Sequence, residues 1–462
     1  LRTDDHPGLH DALEASALLP VFVIQPRWFA VLPLGFRKSG PHRFRFLLES
    51  LEALNEALRT RGSGLLVLVG EPERLLPALA QRIGATCITA QAEHTQEELD
   101  DEKAVNKALH ARGMPVLECF ESLPLVHPDD LPFSKTQIPL VFGAFRRKIE
   151  KNAAFREPLP APDELPAWPV LQKASHNPAS AEGHSGASDG RYAPGLTAAF
   201  DDPWDALGFS AEEKELATEP DVRTAFPFRG GEAAGRQRLN DYVLERRLVA
   251  RYKKTRNGLL GVDYSSKLSA WLANGSLSPR RVHEAVKTYE VQHGGNESTY
   301  WLIFELLWRD FFRFQAMRSG DRLFLRGGLQ NKAVRYASPP IAFRGWQGSK
   351  SGHPFIDANM RELALTGWMS NRGRQNAASW LVRDLDVDWR WGAAWFEHHL
   401  LDYDPCSNYG NWQYVAGVGN DPRGDRRFDP NRQAFTYDRQ GDYVRTWLPE
   451  RATSPAKQTL FS

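Results

Sequence analysis

The first 150 residues alternate short apolar runs with longer segments in which apolar positions recur every three or four residues. "LPVFVI" (19–24) is a continuous apolar run, and "RFRFLLESLEALNEALRTRG" (43–62) carries helical spacing and stops at Gly62. "LLVLVG" (65–70) reads as a second strand, "PERLLPALAQRIGA" (72–85) as a helix and "TCITAQ" (86–91) as a third strand. "TQEELDDEKAVNKALHARG" (95–113) is a charged helix ending at Gly113, and "MPVLECF" (114–120) a fourth strand. Short apolar strands alternating with amphipathic helices predict a doubly wound parallel sheet. "LRTDDHPGLHDALEAS" (1–16) reads as a loop entering a helix with no strand before it, so the first strand of that sheet is expected to be missing. No Gly-x-Gly-x-x-Gly follows any of these strands, which removes the dinucleotide-binding fingerprint.

The pattern changes near residue 150. "EPLPAPDELPAWPVLQKASHNPASAEGHSGASDGRYAPG" (157–195) is rich in Pro, Ala, Ser and Gly and reads as a long linker. From 232 onward the periodicity is almost wholly helical, as in "AAGRQRLNDYVLERRLVARY" (233–252) and "YWLIFELLWRDFFRFQAMRSG" (300–320). The expected organisation is an α/β domain at 1–149, a linker at 150–231 and an all-α domain at 232–462. A chain of 462 residues is too long for one compact core, which agrees with this division.

Composition narrows the function classes. Lys and Arg number 58 against 57 Asp and Glu, a net charge of +1, so any nucleic-acid surface must be a local patch. The three cysteines, Cys87, Cys119 and Cys406, are odd in number and far apart, which leaves no disulfide framework and no four-thiolate metal site. No apolar run reaches the length of a membrane span, and no leader pattern opens the chain, so a cytoplasmic protein is expected.

Three stretches carry candidate chemistry. "YSSKLSAWLANGSLSPRRVHEAV" (264–286) offers the hydroxyls of Ser265, Ser266 and Ser269. Hydroxyls and free N–H groups at a helix start suit an anion, but ordinary helix capping explains this stretch equally well when it is taken alone. "FELLWRDFFRF" (304–314) puts Glu305 and Trp308 on one helix face, an acid to bind a base edge beside an indole to stack on it; a core Trp with a rim acid is the plain alternative. "LLDYDPCSNYGNW" (400–412) pairs Asp402 with Asp404 near Asn408 and Asn411, suited to acid–base work or to salt bridging with arginines such as Arg374. His398 and His399 are adjacent and point apart on a helix, so they read as structural and no metal site is expected. Residues 367–414 also hold six tryptophans, more indoles than packing requires.

Taken together, "ELLWRDFFRF" (305–314), "DANMRELALTGWMSNRGRQNAASWLVRDL" (357–385) and "DYDPCSNYGNWQYVAGVGNDPR" (402–423) resemble the cryptochrome/photolyase family, most closely its DASH branch. The resemblance spans nearly the whole chain. It implies FAD in the helical domain, with Tyr252, Ser265, Ser266, Lys267, Leu268 and Ser269 on the phosphate side. Arg309, Asp402 and Asp404 would line the ring and sugar side, Arg374 would pair with Asp402, and Asn408 would face the flavin N5. The implied activity is light-driven splitting of cyclobutane pyrimidine dimers. Glu305 would bind the damaged bases and Trp308 stack on them, with Arg256, Asn371, Arg372 and Gln433 contacting the nucleic acid.

Tyr414 stands where conventional dimer photolyases resemble one another in having Trp. The smaller wall implies single-stranded DNA as the substrate, with RNA left open; separately, a monomer is expected. No histidine falls in "WMSNRGRQ", which argues against (6-4) repair. The resemblance gives Trp412 and Trp389 as the inner and middle rings of an electron-transfer chain. Its surface ring falls at Tyr336, while Trp346, Trp380, Trp391 and Trp395 read as packing. Where DASH relatives resemble one another in a Trp-Gly near a folate site, this chain reads "FESLPLVHPDDLPF" (120–133), with Glu121 and Ser122. Glu118 remains a candidate partner for 5,10-methenyltetrahydrofolate as an antenna. Three functions stay open: a photolyase, favoured by the short end "VRTWLPERATSPAKQTLFS" (444–462), a blue-light receptor that binds nucleic acid or a protein and repairs nothing, and a flavoprotein with another redox role.

Overall fold

The four expected strands form at Val21–Ile24 (β1), Leu66–Val69 (β2), Ile88–Gln91 (β3) and Leu117–Phe120 (β4). They belong to a computed structural model that describes residues 1–169, 202–218, 221–421 and 427–452. β1 runs parallel to β2, with Val21 opposite Leu66, and β3 runs parallel to β4, with Ile88 opposite Leu117. Among the described residues the sheet is therefore two separate parallel pairs. A cavity of about 1140 Å³ has Val21 and Phe22 from one pair and Thr89, Ala90 and Leu117 from the other in its walls.

The helices that cover these strands start and stop on local signals. Helix α1 (Pro41–Arg59) begins on proline, which loses nothing by lacking an N–H there, and buries Phe44, Leu51 and Leu58. Helix α2 (Pro72–Ile83) ends on Gly84 at φ 64°, a left-handed cap that glycine adopts without strain. Helix α3 (Gln96–His110) carries Glu97 and Glu98 in its first turn and Lys107 and His110 in its last, matching its dipole. Helix α4 (Phe142–Asn152) runs past residue 150. Short helices at Pro203–Ala206 and Ala211–Thr218 follow within the expected linker, and the Trp204 ring packs edge-on against Phe44 at 4.8 Å. The linker stretch from 170 to 201 lies outside the described residues.

The expected single helix over 233–252 is broken. Helix α5 (Glu232–Asn240) widens into a π-helical turn at Asp241–Glu245, and the chain reverses at Arg247 with φ 56°. It resumes at Leu248–Arg251 and Tyr252–Thr255. The Arg246 guanidinium binds both Asp241 (2.6 Å) and Asp263 (2.7 Å), an arrangement specified by a partner 17 residues away and not by periodicity.

Helix α6 (Ser269–Ala273), α7 (Pro279–His293) and the long α8 (Glu297–Ser319) gather one apolar core around Trp271, Phe311 and Phe314. Helices α9 (Pro354–Thr366), α10 (Asn371–Ser379), α11 (Trp389–His399) and α12 (Pro405–Ala416) gather a second around Trp346, Trp389 and Trp412. Trp380, Trp391 and Trp395 pack on its flank, the structural place expected for them. His398 and His399 are buried, and His398 Nδ1 lies 2.6 Å from the Arg37 carbonyl. Two buried charges join the lobes. Asp310 accepts the Leu125 and Val126 N–H groups at 3.0 and 2.9 Å, and Arg313 bridges Glu93 (3.0 Å) and Asp404 (2.7 Å).

Candidate cofactor chamber and its mouth

Helix α8 is fixed at its start by a capping box, in which the Asn296 side chain accepts from Thr299 N and the Thr299 hydroxyl accepts from Asn296 N. Two turns later it presents Glu305, Trp308 and Arg309. Glu305 pairs with Arg256 at 2.8 Å. Desolvation pushes the Glu305 carboxyl upward, with Arg256 opposing the shift. One face of Trp308 is covered by Phe142, stacked at 3.7 Å and 11°, and Tyr414 meets it edge-on at 5.9 Å. Arg309 donates to the carbonyls of Leu123 and Leu272.

The serine loop before α6 is held from outside by Arg238. Its guanidinium donates to the carbonyls of Ser266 (3.0 Å), Ser265 (3.2 Å) and Val262 (3.3 Å). Lys267 takes a left-handed backbone (φ 65°) and turns inward, with Nζ 3.1 Å from the Tyr264 ring centroid and 5.0 Å from that of Trp368. That Nζ is buried without a hydrogen-bond partner among the described residues, and burial drives its pKa far below the usual lysine value. The Ser269 hydroxyl donates to Asp402 at 2.7 Å, and α6 has no side-chain cap. Capping therefore does not explain the Ser269 hydroxyl.

The two aspartates have separate tasks. Asp402 pairs with Arg374 at 2.9 Å, as the resemblance implied. Asp404 caps α12, accepting Ser407 N at 2.7 Å, and takes Arg313 at 2.7 Å. Burial alone would raise the Asp404 pKa, but Arg313 and Arg309 outweigh it and hold the group below the usual carboxylate range.

These elements enclose two adjoining chambers. The larger, about 260 Å³, is lined by Tyr252, Ser265 through Ser269, Arg309, Arg374, Asp402 and Asp404, with Arg256, Glu305 and Asn371 also in its wall. The smaller, about 120 Å³, is lined by Asn408, Trp412 and Tyr414, and shares Asn371, Arg374, Asp402, Asp404 and Ser407 with the first. Asn408 donates to the Ala393 carbonyl at 3.0 Å, which leaves its own carbonyl oxygen as the end offered to the chamber. Arg372 and Gln433 line neither chamber. Arg372 donates to Asn257 at 3.0 Å and lies over the Tyr437 ring, while Gln433 accepts from Asn376 at 3.5 Å.

Trp412 lies against α11 at Gly392, where a Cβ would come within 2.2 Å of the indole. Trp389, one turn earlier, is fully buried and donates its indole N–H to the Arg326 carbonyl at 3.1 Å. Tyr336, expected as the outer ring, packs on the same cluster and is half-buried. Burial, then the neighbouring Asp388, pushes its phenol up to about 12. Glu118 is exposed on β4 and does not line the large cavity. Glu121 pairs with His94 at 2.9 Å and Ser122 donates to Gln91 at 2.5 Å, so both are engaged locally.

Sequence reasoning missed Arg238, Asp310, Arg313 and Ser407. Asp310 and Arg313 had a faint signal, as charges inside the apolar run of "FELLWRDFFRF"; Arg238 had none.

Comparison with known proteins shows the family to which the chain belongs. The DNA photolyase family matches residues 1–163, and the FAD binding domain of DNA photolyase matches residues 301–460. A cryptochrome DASH of Gloeobacter violaceus is 46% identical over 456 residues, covering 98% of this chain and 85% of that protein. A solved cryptochrome of Synechocystis sp. is 44% identical with a TM-score of 0.88, covering 98% of this chain and 88% of the other. A class III photolyase of Agrobacterium tumefaciens is 26% identical with a TM-score of 0.77, covering 97% and 84%. The residues present fit FAD: hydroxyls and an unpartnered lysine for phosphates, carboxylates for ribose hydroxyls and ring N–H groups, and an amide oxygen for a ring nitrogen.

Proposed function

Because the chain belongs to the cryptochrome/photolyase family, and within it to cryptochrome DASH, we propose that it repairs cyclobutane pyrimidine dimers under blue light, preferring single-stranded DNA. Bound FAD, reduced and excited by light, supplies the electron that splits the dimer and takes it back afterwards.

The chain supplies binding, orientation and exclusion of water. Ser265, Ser266 and Ser269 hold the phosphates on a loop that Arg238 fixes. Asp402, set by Arg374, accepts ring and ribose donors, and the Asn408 oxygen accepts from a protonated ring nitrogen. At the mouth, Glu305 accepts hydrogen bonds from the flipped bases while Arg256 turns to the DNA backbone. Trp308 and Tyr414 form the wall against which the bases lie. Tyr414 presents less surface than an indole and so helps less with unstacking, which costs a few kcal/mol in duplex and much less in a single strand.

The observation that carries this reading is the Glu305–Arg256 pair, 2.8 Å apart in the wall of the larger chamber, with Glu305 one helical turn before Trp308, which itself lines neither chamber. The test is to illuminate the reduced FAD-loaded protein with the same thymine dimer in single-stranded, looped and fully paired oligonucleotides. Recovery of thymine should be much faster from the first two. Equal rates on single strand and perfect duplex would sink the substrate assignment.

One observation favours a second reading, a blue-light receptor without repair. Phe142 already stacks on Trp308 at 3.7 Å, filling a face that bases could use. The same assay separates the two, since a receptor would photoreduce its flavin and bind oligonucleotide while recovering no thymine.

A further inference from the structure

We propose that Tyr409, with Glu397 as its proton acceptor, is the outermost electron donor of the tryptophan route, in place of Tyr336. This rests on the reading that Trp412 and then Trp389 pass electrons inward when the cofactor is excited in its oxidised state.

Trp389 is fully buried, and among the described residues its N–H meets only the Arg326 carbonyl, which is no base for the proton of an oxidised indole. Against it, edge-on at 6.1 Å, stands the ring of Tyr409. The Tyr409 hydroxyl donates to Glu397 Oε2 at 3.1 Å. The Glu397 side chain is only 6% exposed, and Lys38 lies 3.9 Å away. Burial pushes the Glu397 carboxyl upward, with Lys38 and Arg43 opposing, which makes it a willing base.

Tyr336 has the opposite neighbourhood. The carboxylate that acts on it most strongly is Asp388. Asp388 already accepts from Arg390 (2.8 Å) and Arg326 (3.1 Å), and hydrogen bonding to Arg390 overcomes its burial and holds its pKa low. A phenol gives up an electron readily only if its proton leaves with it, and Asp388 is a poor destination.

The step balances. One electron passes from Tyr409 to oxidised Trp389. The phenolic O–H bond breaks and an O–H bond forms on Glu397 Oε2. A cationic indole and a carboxylate become a neutral indole, a neutral phenoxyl radical and a neutral acid, so the charge of the three groups sums to zero before and after the step, while Lys38 and Arg43 keep their charges beside the acid. An external thiol then returns a hydrogen atom to Tyr409, and Glu397 releases its proton to solvent.

The test combines flash absorption with electron paramagnetic resonance on the FAD-loaded protein, using ring-deuterated tyrosine to identify the radical. A tyrosyl radical should form in the wild type and in Tyr336→Phe and be absent from Tyr409→Phe at equal flavin content. Glu397→Gln should slow its formation by roughly a hundredfold, the usual contribution of a positioned base. In the cofactor-free protein, indoles oxidised by azide radical should pass less oxidation to tyrosine in Tyr409→Phe than in the wild type. A radical that survives Tyr409→Phe and vanishes in Tyr336→Phe would overturn the proposal, as would a wild type that stops at an indole radical. Photoreduction that persists in Trp412→Phe would instead overturn the tryptophan route itself.

Discussion

Asp402 and Glu305 are two carboxylates in the wall of one chamber, and they are held differently. Asp402 takes Ser269 at 2.7 Å and Arg374 at 2.9 Å, and beside it Asp404 takes Arg313 and Ser407 N. The serine loop opposite has three of its carbonyls on Arg238. At the mouth, Glu305 has Arg256 as its single ion partner among the described residues. Moving an inner group breaks two or more hydrogen bonds at once, whereas the ion pair of Glu305 is with one arginine, which can be traded for substrate. A site for a resident cofactor needs locked side chains; a site for a substrate that comes and goes needs partners that can be traded.

The contrast breaks if inner and outer substitutions have the same consequence. The largest effect is expected from Asp402→Ala, which leaves Arg374 without its carboxylate and should cost roughly 3 kcal/mol in stability. Flavin absorbance relative to protein should fall close to zero. Next comes Glu362→Gln, behind the serine loop. Glu362 accepts the Tyr443 hydroxyl at 2.5 Å and faces Lys267, and burial pushes it up to about 7. A carboxyl raised in the fold binds more protons folded than unfolded between the ordinary value and about 7. Its contribution to stability is thus fully present at low pH and is lost as pH rises through about 7, by up to about 3 kcal/mol. Urea midpoints should show that decline in the wild type and not in Glu362→Gln.

The middle effect sharpens the comparison from the other side. Glu305→Ala should lose roughly 1.5–3 kcal/mol of substrate interaction, the worth of a charge-assisted hydrogen bond, while flavin content stays at the wild-type level. Loss of flavin in this variant would make Glu305 an inner residue. The smallest effect belongs to Arg372, which lines neither chamber. Arg372→Ala should lower the slope of log affinity against log salt by about 1, measured by titrating a labelled single-stranded oligonucleotide.

The strands were legible because each is a short apolar run between turn residues, and β1 to β4 fall within the runs that predicted them. Their division into two pairs was not, since strand pairing is decided far from the strand. The break after Asn240 was hidden for the same reason: only the fold brings Arg246 to Asp263. At the site, the Arg374–Asp402 pair was foreseen from the family resemblance and found at 2.9 Å. Arg238 and Arg313 escaped because an arginine in an amphipathic helix looks like a solvated face. Their burial, 3% and 2% exposed, is a tertiary fact. Lys267, expected on the phosphate side from the resemblance, lines the chamber, but nothing in the sequence indicated that its backbone would be left-handed.

Arg313 has a consequence for modularity. Its guanidinium holds Glu93, from the α/β lobe, in one hand and Asp404, the cap of α12, in the other. Asp310, one turn earlier, holds the backbone of Leu125 and Val126. A helical lobe transplanted onto a foreign partner would carry an arginine short of one acceptor and an aspartate short of both donors, all within the walls that frame Asp404. The two lobes are therefore not interchangeable parts. A graft between distant relatives must carry the 93 and 125–126 positions with the chamber, or the chamber will be assembled incomplete.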